Sequence, residues 1–148
     1  MQAIIFTGIQ ASGKSSLYKS YFFNTHVRIS LDLLNTRNKE WQLLEKCVEL
    51  QQRVVIDNTN PTTADRKKYI DLLKSRKYEI IGYYFQSNLH DAIQRNAHRS
   101  GKEKIPEVGI RATHKKLELP SLDEGFDRLY YVELTKNGFK IKDWNNEI

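Results

Sequence analysis

The chain has 148 residues, of which 39% are hydrophobic and 28% charged, with a formal net charge of +6. That is the size of one soluble domain, residues 1–148, with an ordinary core and little room for a second. No apolar run approaches the ~18 residues of a membrane span, the N-terminus reads as a core strand rather than a signal peptide, and the single cysteine, Cys47, excludes an internal disulfide, so a cytoplasmic protein is expected.

In chain order, the apolar run Ala3-Ile4-Ile5-Phe6-Thr7 reads as a buried strand, followed at once by Gly8-Ile9-Gln10-Ala11-Ser12-Gly13-Lys14-Ser15. A helix is predicted over residues 15–23, with Leu17/Tyr21 and Tyr18/Phe22 spaced for packing. His26 to Ser30 is a short second strand, and a helix around 38–52 carries Trp41, Leu44 and Val48 on one face. Arg53 to Asp57 is a β-branched third strand ending on a carboxylate, and Asn58 to Pro61 form a loop. Thr62-Thr63 can cap a helix running to about Lys74. Tyr78 to Phe85 is a fourth strand, and a helix from Leu89 to Arg99 is predicted to stop at Gly101 in a left-handed cap. Pro106 opens another helix to about Leu117, Arg128 to Leu134 is a fifth strand, and a hairpin is expected around Gly138. This alternation predicts an α/β fold with a mainly parallel sheet flanked by helices. The glycine-rich run Gly8–Ser15 between the first strand and the first helix makes it one of the P-loop NTPase type, with a helical lid expected over about residues 88–118. In such sheets the ligand lies beyond the carboxyl ends of the strands.

The motif Gly8–Ser15 fits G-x-x-x-x-G-K-[S/T] without a mismatch, between a strand and a helix as phosphate binding requires. Gly8 and Gly13 let the backbone wrap an anion. Lys14 is placed to reach the β- and γ-phosphates and Ser15 to ligate Mg²⁺, with Ala11, Ser12 and Ser16 as further nucleotide contacts. The four histidines, at 26, 90, 98 and 114, show no metal-ligand spacing, so Mg²⁺ held through hydroxyl, phosphate and water is the only metal expected. Asp32, after the second strand, can accept the proton of a hydroxyl attacking the γ-phosphate; capping a helix is its structural alternative. Asp57, at the end of the third strand, stands where P-loop proteins hold the Mg²⁺ hydration shell, or else caps its loop. Arg95 and Arg99, four apart, would share a helical face and could neutralise charge developing in transfer. Between Arg95 and Lys116 seven basic residues face two acidic ones, so five of the six net charges sit in this segment. A solvated helix surface and a phosphate-meeting lid both fit that cluster.

The Gly8–Ser15 loop, Asp32, the string Val54-Val55-Ile56-Asp57-Asn58-Thr59-Asn60-Pro61 and Arg95-Asn96-x-x-Arg99, in that order, resemble the 5′-hydroxyl kinase module of polynucleotide kinases. Pro120 to Phe126 is similar to the animal members, and the resemblance spans about residues 3–134. It implies an enzyme moving the γ-phosphate of ATP, with Mg²⁺, to the 5′-OH end of DNA or RNA. By that resemblance Lys14 and Ser15 bind phosphate and Mg²⁺, Asp32 is the general base and Arg99 contacts the donor phosphates with Arg95 in support. Asp57 is then the second carboxylate near the metal, and Thr59 and Asn60 shape the acceptor side. Phage-type members carry an arginine three residues after the base, against the acceptor phosphate. Here that position is Asn35, and Arg37 is expected on a different helical face. The Asp-x-Asp phosphatase signature and a ligase domain are absent, which implies separate repair partners. Two other readings stay open at this point: a small-molecule kinase on the same scaffold, acting on a nucleoside, sugar or antibiotic hydroxyl, and a non-catalytic nucleotide-dependent binding protein.

Overall fold

The computed structural model describes residues 1–145; the last three of the expected 1–148 domain lie outside them. Six strands form one sheet in the order β2-β3-β1-β4-β5-β6. They are β1 (Gln2–Thr7), β2 (Val27–Ile29), β3 (Val54–Ile56), β4 (Glu79–Phe85), β5 (Arg128–Thr135) and β6 (Gly138–Asp143). The first five run parallel and β6 returns antiparallel to β5 through a turn with Gly138 at φ 109°. The five parallel strands therefore end on one edge, and the phosphate-loop motif leaves that edge from the inner strand β1.

Alternation along β1 feeds two cores. Ala3 and Ile5 face one side with Leu44, Cys47 and Val48 of α3 (Arg37–Glu49) and Tyr69, Ile70 and Leu73 of α4 (Thr63–Ser75). Ile4 and Phe6 face the other, against Leu17 and Tyr18. Such two-sided burial is what continuous β-branched strands such as Val54-Val55-Ile56 encode. A third, smaller cluster packs Ile9 and Ala11 of the phosphate loop against Ala92 of α5 (Leu89–Ala97) and Ile110 of α6 (Glu107–Lys116).

Several elements depart from their sequence-based bounds. The first helix is α-helical only over α1 (Lys14–Leu17) and continues as a π-turn, Tyr18–Phe22. Through that wider turn Phe22 meets both Phe6 and Tyr83. A four-residue helix, α2 (Leu31–Leu34), has no counterpart in the sequence pattern; Asn35 ends it at φ 73°, and Thr36 then caps α3 through Lys39 N–H. Asp32 is the second residue of α2, not its N-cap. The helix α5 stops at Ala97, and Gly101, at φ 62°, opens a 3₁₀ turn (Gly101–Glu103) instead of capping it. Thr62 does cap α4, in a reciprocal box with Asp65. Trp144 folds back onto Tyr84, edge to face at 5.5 Å.

Candidate active site

The loop Gly8–Ser15 curls over the carboxyl end of β1. A Cβ on Gly8 would stand 2.9 Å from both Phe85 Cβ and Ser12 Oγ, so only glycine allows this approach. Ala11 and Gly13 take positive φ, 60° and 101°, the kind of turn from which backbone anion-binding nests are built. Lys14 is buried with its Nζ donating to the loop's own carbonyls, Gly8 O at 2.9 Å and Ile9 O at 2.7 Å. Burial lowers its pKa to about 8, partly opposed by Asp57. It is an ammonium held by its own loop, beside the place an anion would fill.

A pocket of about 240 Å³ opens in front of the loop, lined by Gln10, Ala11 and Gly13 to Ser16 and by Asp32, Asp57, Thr59 and Arg99. Ser12 does not line it; it is buried and accepts from Lys14 Nζ at 3.4 Å. A groove of about 490 Å³ shares Ser15, Ser16, Asp32 and Arg99 with it and runs on past Lys19, Arg28 and Lys102. Asp32 is exposed on the wall common to both.

Ser15 Oγ donates to Asp57 Oδ2 at 3.1 Å, and Arg28 bonds both, through Nε to Asp57 at 2.8 Å and Nη2 to Ser15 at 3.0 Å. Arg28 escapes a sequence reading because a charged residue in a short edge strand looks like solvated surface. Its guanidinium aligns a hydroxyl and a buried carboxylate on the phosphate loop's flank. Those two hard oxygens fit a magnesium ion that draws its remaining ligands from phosphate and water. Among the described residues no group of three or more His, Cys, Asp or Glu gathers to hold a metal by itself.

The remaining expected site residues divide. Arg95 and Arg99 do not share a helical face, because α5 ends between them. Arg95 donates to Ala11 O at 2.9 Å and so ties α5 to the phosphate loop, whereas Arg99 lines the pocket. Thr59 lines the pocket while its carbonyl accepts Gly8 N–H. Asn60 is buried away from it: its side chain donates to Phe6 O at 2.8 Å, and its carbonyl accepts from Arg66, which is ion-paired with Glu124. Asn35 lines neither cavity and accepts from Lys102. The expectation for Arg37 is reversed, since the break at Asn35 starts a new helix and brings Arg37 into the pocket wall with Asn58. Tyr83, Tyr84 and Tyr130, aromatic candidates for stacking a base, pack among themselves and the core and line neither cavity. The basic segment is also divided: Arg99 and Lys102 face the groove, while Arg111 pairs with Glu107 on the surface.

Residues 4–120 match the AAA domain family. The chain belongs to that family. It is 29% identical over 136 residues to the bifunctional polynucleotide phosphatase/kinase of Schizosaccharomyces pombe, covering 88% of this chain and 33% of the relative. It is 28% identical over 138 residues to a putative bifunctional polynucleotide phosphatase/kinase of Acanthamoeba polyphaga mimivirus, with the same coverage of 88% and 33%. The chain thus spans about a third of the length of these curated relatives. Among solved structures, a gluconokinase from Sinorhizobium meliloti 1021 superposes with TM-score 0.63 at 19% identity, covering 91% of this chain and 83% of that one. The Pnkp1/Rnl/Hen1 RNA repair complex gives 0.65 at 18%, covering 78% and 43%. These likenesses show the fold, which is that of P-loop kinases. No helix among the described residues is long and apolar enough to cross a membrane.

Proposed function

We propose that the protein is an ATP-dependent polynucleotide kinase acting on the 5′-hydroxyl of DNA or RNA ends, within a cytoplasmic domain whose α5–α6 segment serves as a lid. One observation carries the reading: Asp32 stands on the wall of the same pocket that holds Lys14, Asp57 and Arg99, with room in front of it for a hydroxyl. The loop N–H groups between Ala11 and Ser16, together with Lys14, hold the donor phosphates; those of Gly8 and Ile9 are taken by Thr59 O and Ser87 Oγ. Arg99, on the wall of the same pocket, stabilises charge on the transferring group, and Arg95 keeps the lid on the loop. Mg²⁺, held through Ser15 and Asp57, supplies charge neutralisation when bound. The Asp32 carboxylate takes the acceptor O–H proton as the new O–P bond forms. The bond from the γ-phosphorus to the bridging oxygen breaks, and ADP leaves. The names of the two curated relatives, each a phosphatase/kinase, support a polynucleotide acceptor, and on this reading a separate phosphatase or ligase would be a partner in end repair.

Arg37 now takes the acceptor-side place that Asn35 leaves without a cation. Its side chain is 55% exposed and braced by Glu40 and Tyr69. Arg37→Ala is expected to raise the KM for an oligonucleotide by roughly 10- to 100-fold, the loss of a charge-assisted hydrogen bond, with ATP affinity unchanged. Steady-state titration of both substrates checks this.

The deciding experiment incubates the protein with γ-labelled ATP, Mg²⁺ and 5′-OH DNA or RNA oligonucleotides, with nucleosides and sugars in parallel. Label on the oligonucleotide 5′ end is expected. Label confined to a small alcohol would replace the reading with a small-molecule kinase, and label on neither would leave a nucleotide-binding protein.

A further inference from the structure

Glu40 is 1% exposed in the first turn of α3, yet its carboxylate is surrounded by donors. Oε1 accepts from the Tyr69 hydroxyl at 2.7 Å and from Arg37 at 3.3 Å, and Oε2 accepts from the side-chain amide of Asn58. A carboxylate is tolerated out of water only when such bonds replace hydration. Burial and the Glu40 bond together push the Tyr69 hydroxyl pKa well up, so it remains a donor. Two of the three donors, Arg37 and Asn58, belong to the wall of the reaction pocket.

Asn58 carries the contact further. Its Oδ1 accepts the backbone N–H of Leu31 at 2.9 Å. Leu31 is the first residue of α2, whose leading N–H groups have no partner within the helix. Ser30, at the N-cap position, makes no capping bond, and its buried hydroxyl has no partner. The cap of the helix bearing Asp32 is therefore supplied from another loop, by an amide that Glu40 orients. We infer that Glu40 is a positioning residue for phosphoryl transfer: it fixes which end of the Asn58 amide faces Leu31, and so where the Asp32 carboxylate stands before the phosphate loop. The inference rests on Asp32 being the base, as proposed above.

Donor–acceptor polarity makes it testable. In Glu40→Gln the new N–H faces either Asn58 or the Tyr69 hydroxyl and Arg37, and either way a donor loses the acceptor it had. If the Asn58 amide flips to relieve this, its N–H opposes that of Leu31. The double variant Glu40→Gln/Asn58→Asp restores the polarity at unchanged net charge. The carboxylate introduced at position 58 accepts both from the amide introduced at position 40 and from the Leu31 N–H. Asn58→Ala cuts the link at the pocket wall and leaves the Glu40–Tyr69 bond in the core, so it serves even if the Glu40 variant fails to fold.

Three readouts are compared: exchange of the Leu31 amide by NMR, single-turnover transfer at saturating ATP, and affinity for a fluorescent ATP analogue. Glu40→Gln and Asn58→Ala should each speed Leu31 exchange and slow transfer by at least about tenfold, as when a buried donor loses its partner. Nucleotide affinity should stay within about twofold, and the double variant should recover both protection and rate. Normal transfer in Asn58→Ala overturns the inference. So does slowed transfer with Leu31 still protected, or a double variant that regains thermal stability but not rate. If the wild type labels no oligonucleotide, the polynucleotide reading fails on its own; Leu31 exchange still decides the link, and transfer is followed on whichever alcohol accepts label.

Discussion

Asp32→Asn is expected to slow phosphoryl transfer by about 10²- to 10⁴-fold, the range for loss of a general base, while ATP binds nearly as before. The substitution keeps the shape of the side chain and removes only its capacity to take a proton. Asp32 occupies the exposed wall of the pocket, where it can meet an incoming hydroxyl. The other carboxylate, Asp57, is tied to Ser15 and Arg28 behind it. That division predicts different phenotypes for the two. Asp57→Asn releases an ion pair and disturbs the metal flank, so it should weaken nucleotide binding as well as turnover. Asp32→Asn should leave nucleotide binding alone. Single-turnover transfer measured beside an ATP titration separates them. Loss of ATP affinity in Asp32→Asn equal to its loss of rate would place Asp32 in the donor site and end its assignment as base.

The donor half of the site is legible in the sequence because its geometry is local. A strand, eight residues and a helix start suffice to place Gly8, Gly13, Lys14 and Ser15, and the β-branched runs give away the parallel sheet. The acceptor half depends on where the chain breaks. The sequence pattern shows no break between the second strand and the helix around 38–52, and Arg37 is expected on a different helical face from position 35. The left-handed turn at Asn35 splits that stretch into α2 and α3 and swings Arg37 into the pocket. Asparagine tolerates such a φ better than other non-glycine residues, and that tolerance is the one signal the stretch carries. Asn60 shows the converse: a motif residue whose polar character serves the fold, bonding Phe6 O from a buried position. Glu40 and Arg28 have no signature at all. A glutamate in the first turn of an amphipathic helix looks solvated, and only tertiary packing shows that it is not.

Lys14→Met should weaken ATP binding and lower transfer by about 10²- to 10³-fold, the scale for removing one donor aimed at developing charge. Methionine fills much of the same buried space, so the fold should survive and the loss should report the charge. The structure adds a pH signature. Burial holds the Lys14 pKa at about 8, with Arg99 lowering it further and Asp57 and Asp32 raising it. Phosphate in the pocket favours the ammonium form and raises that pKa. Below pH 8 the lysine is already charged in the free protein, and binding takes up few protons. Above pH 8 the free protein has lost that proton and must regain it to bind. Wild-type ATP affinity should therefore fall as pH rises through 8, with net proton uptake measurable by calorimetry in two buffers of different ionisation enthalpy. In Lys14→Met both the uptake and that part of the pH dependence should vanish. Uptake that persisted in the variant would assign the titration to another group. A flat wild-type profile would mean that the lysine is already an ammonium throughout, stabilised by the Gly8 and Ile9 carbonyls that it must leave when phosphate arrives.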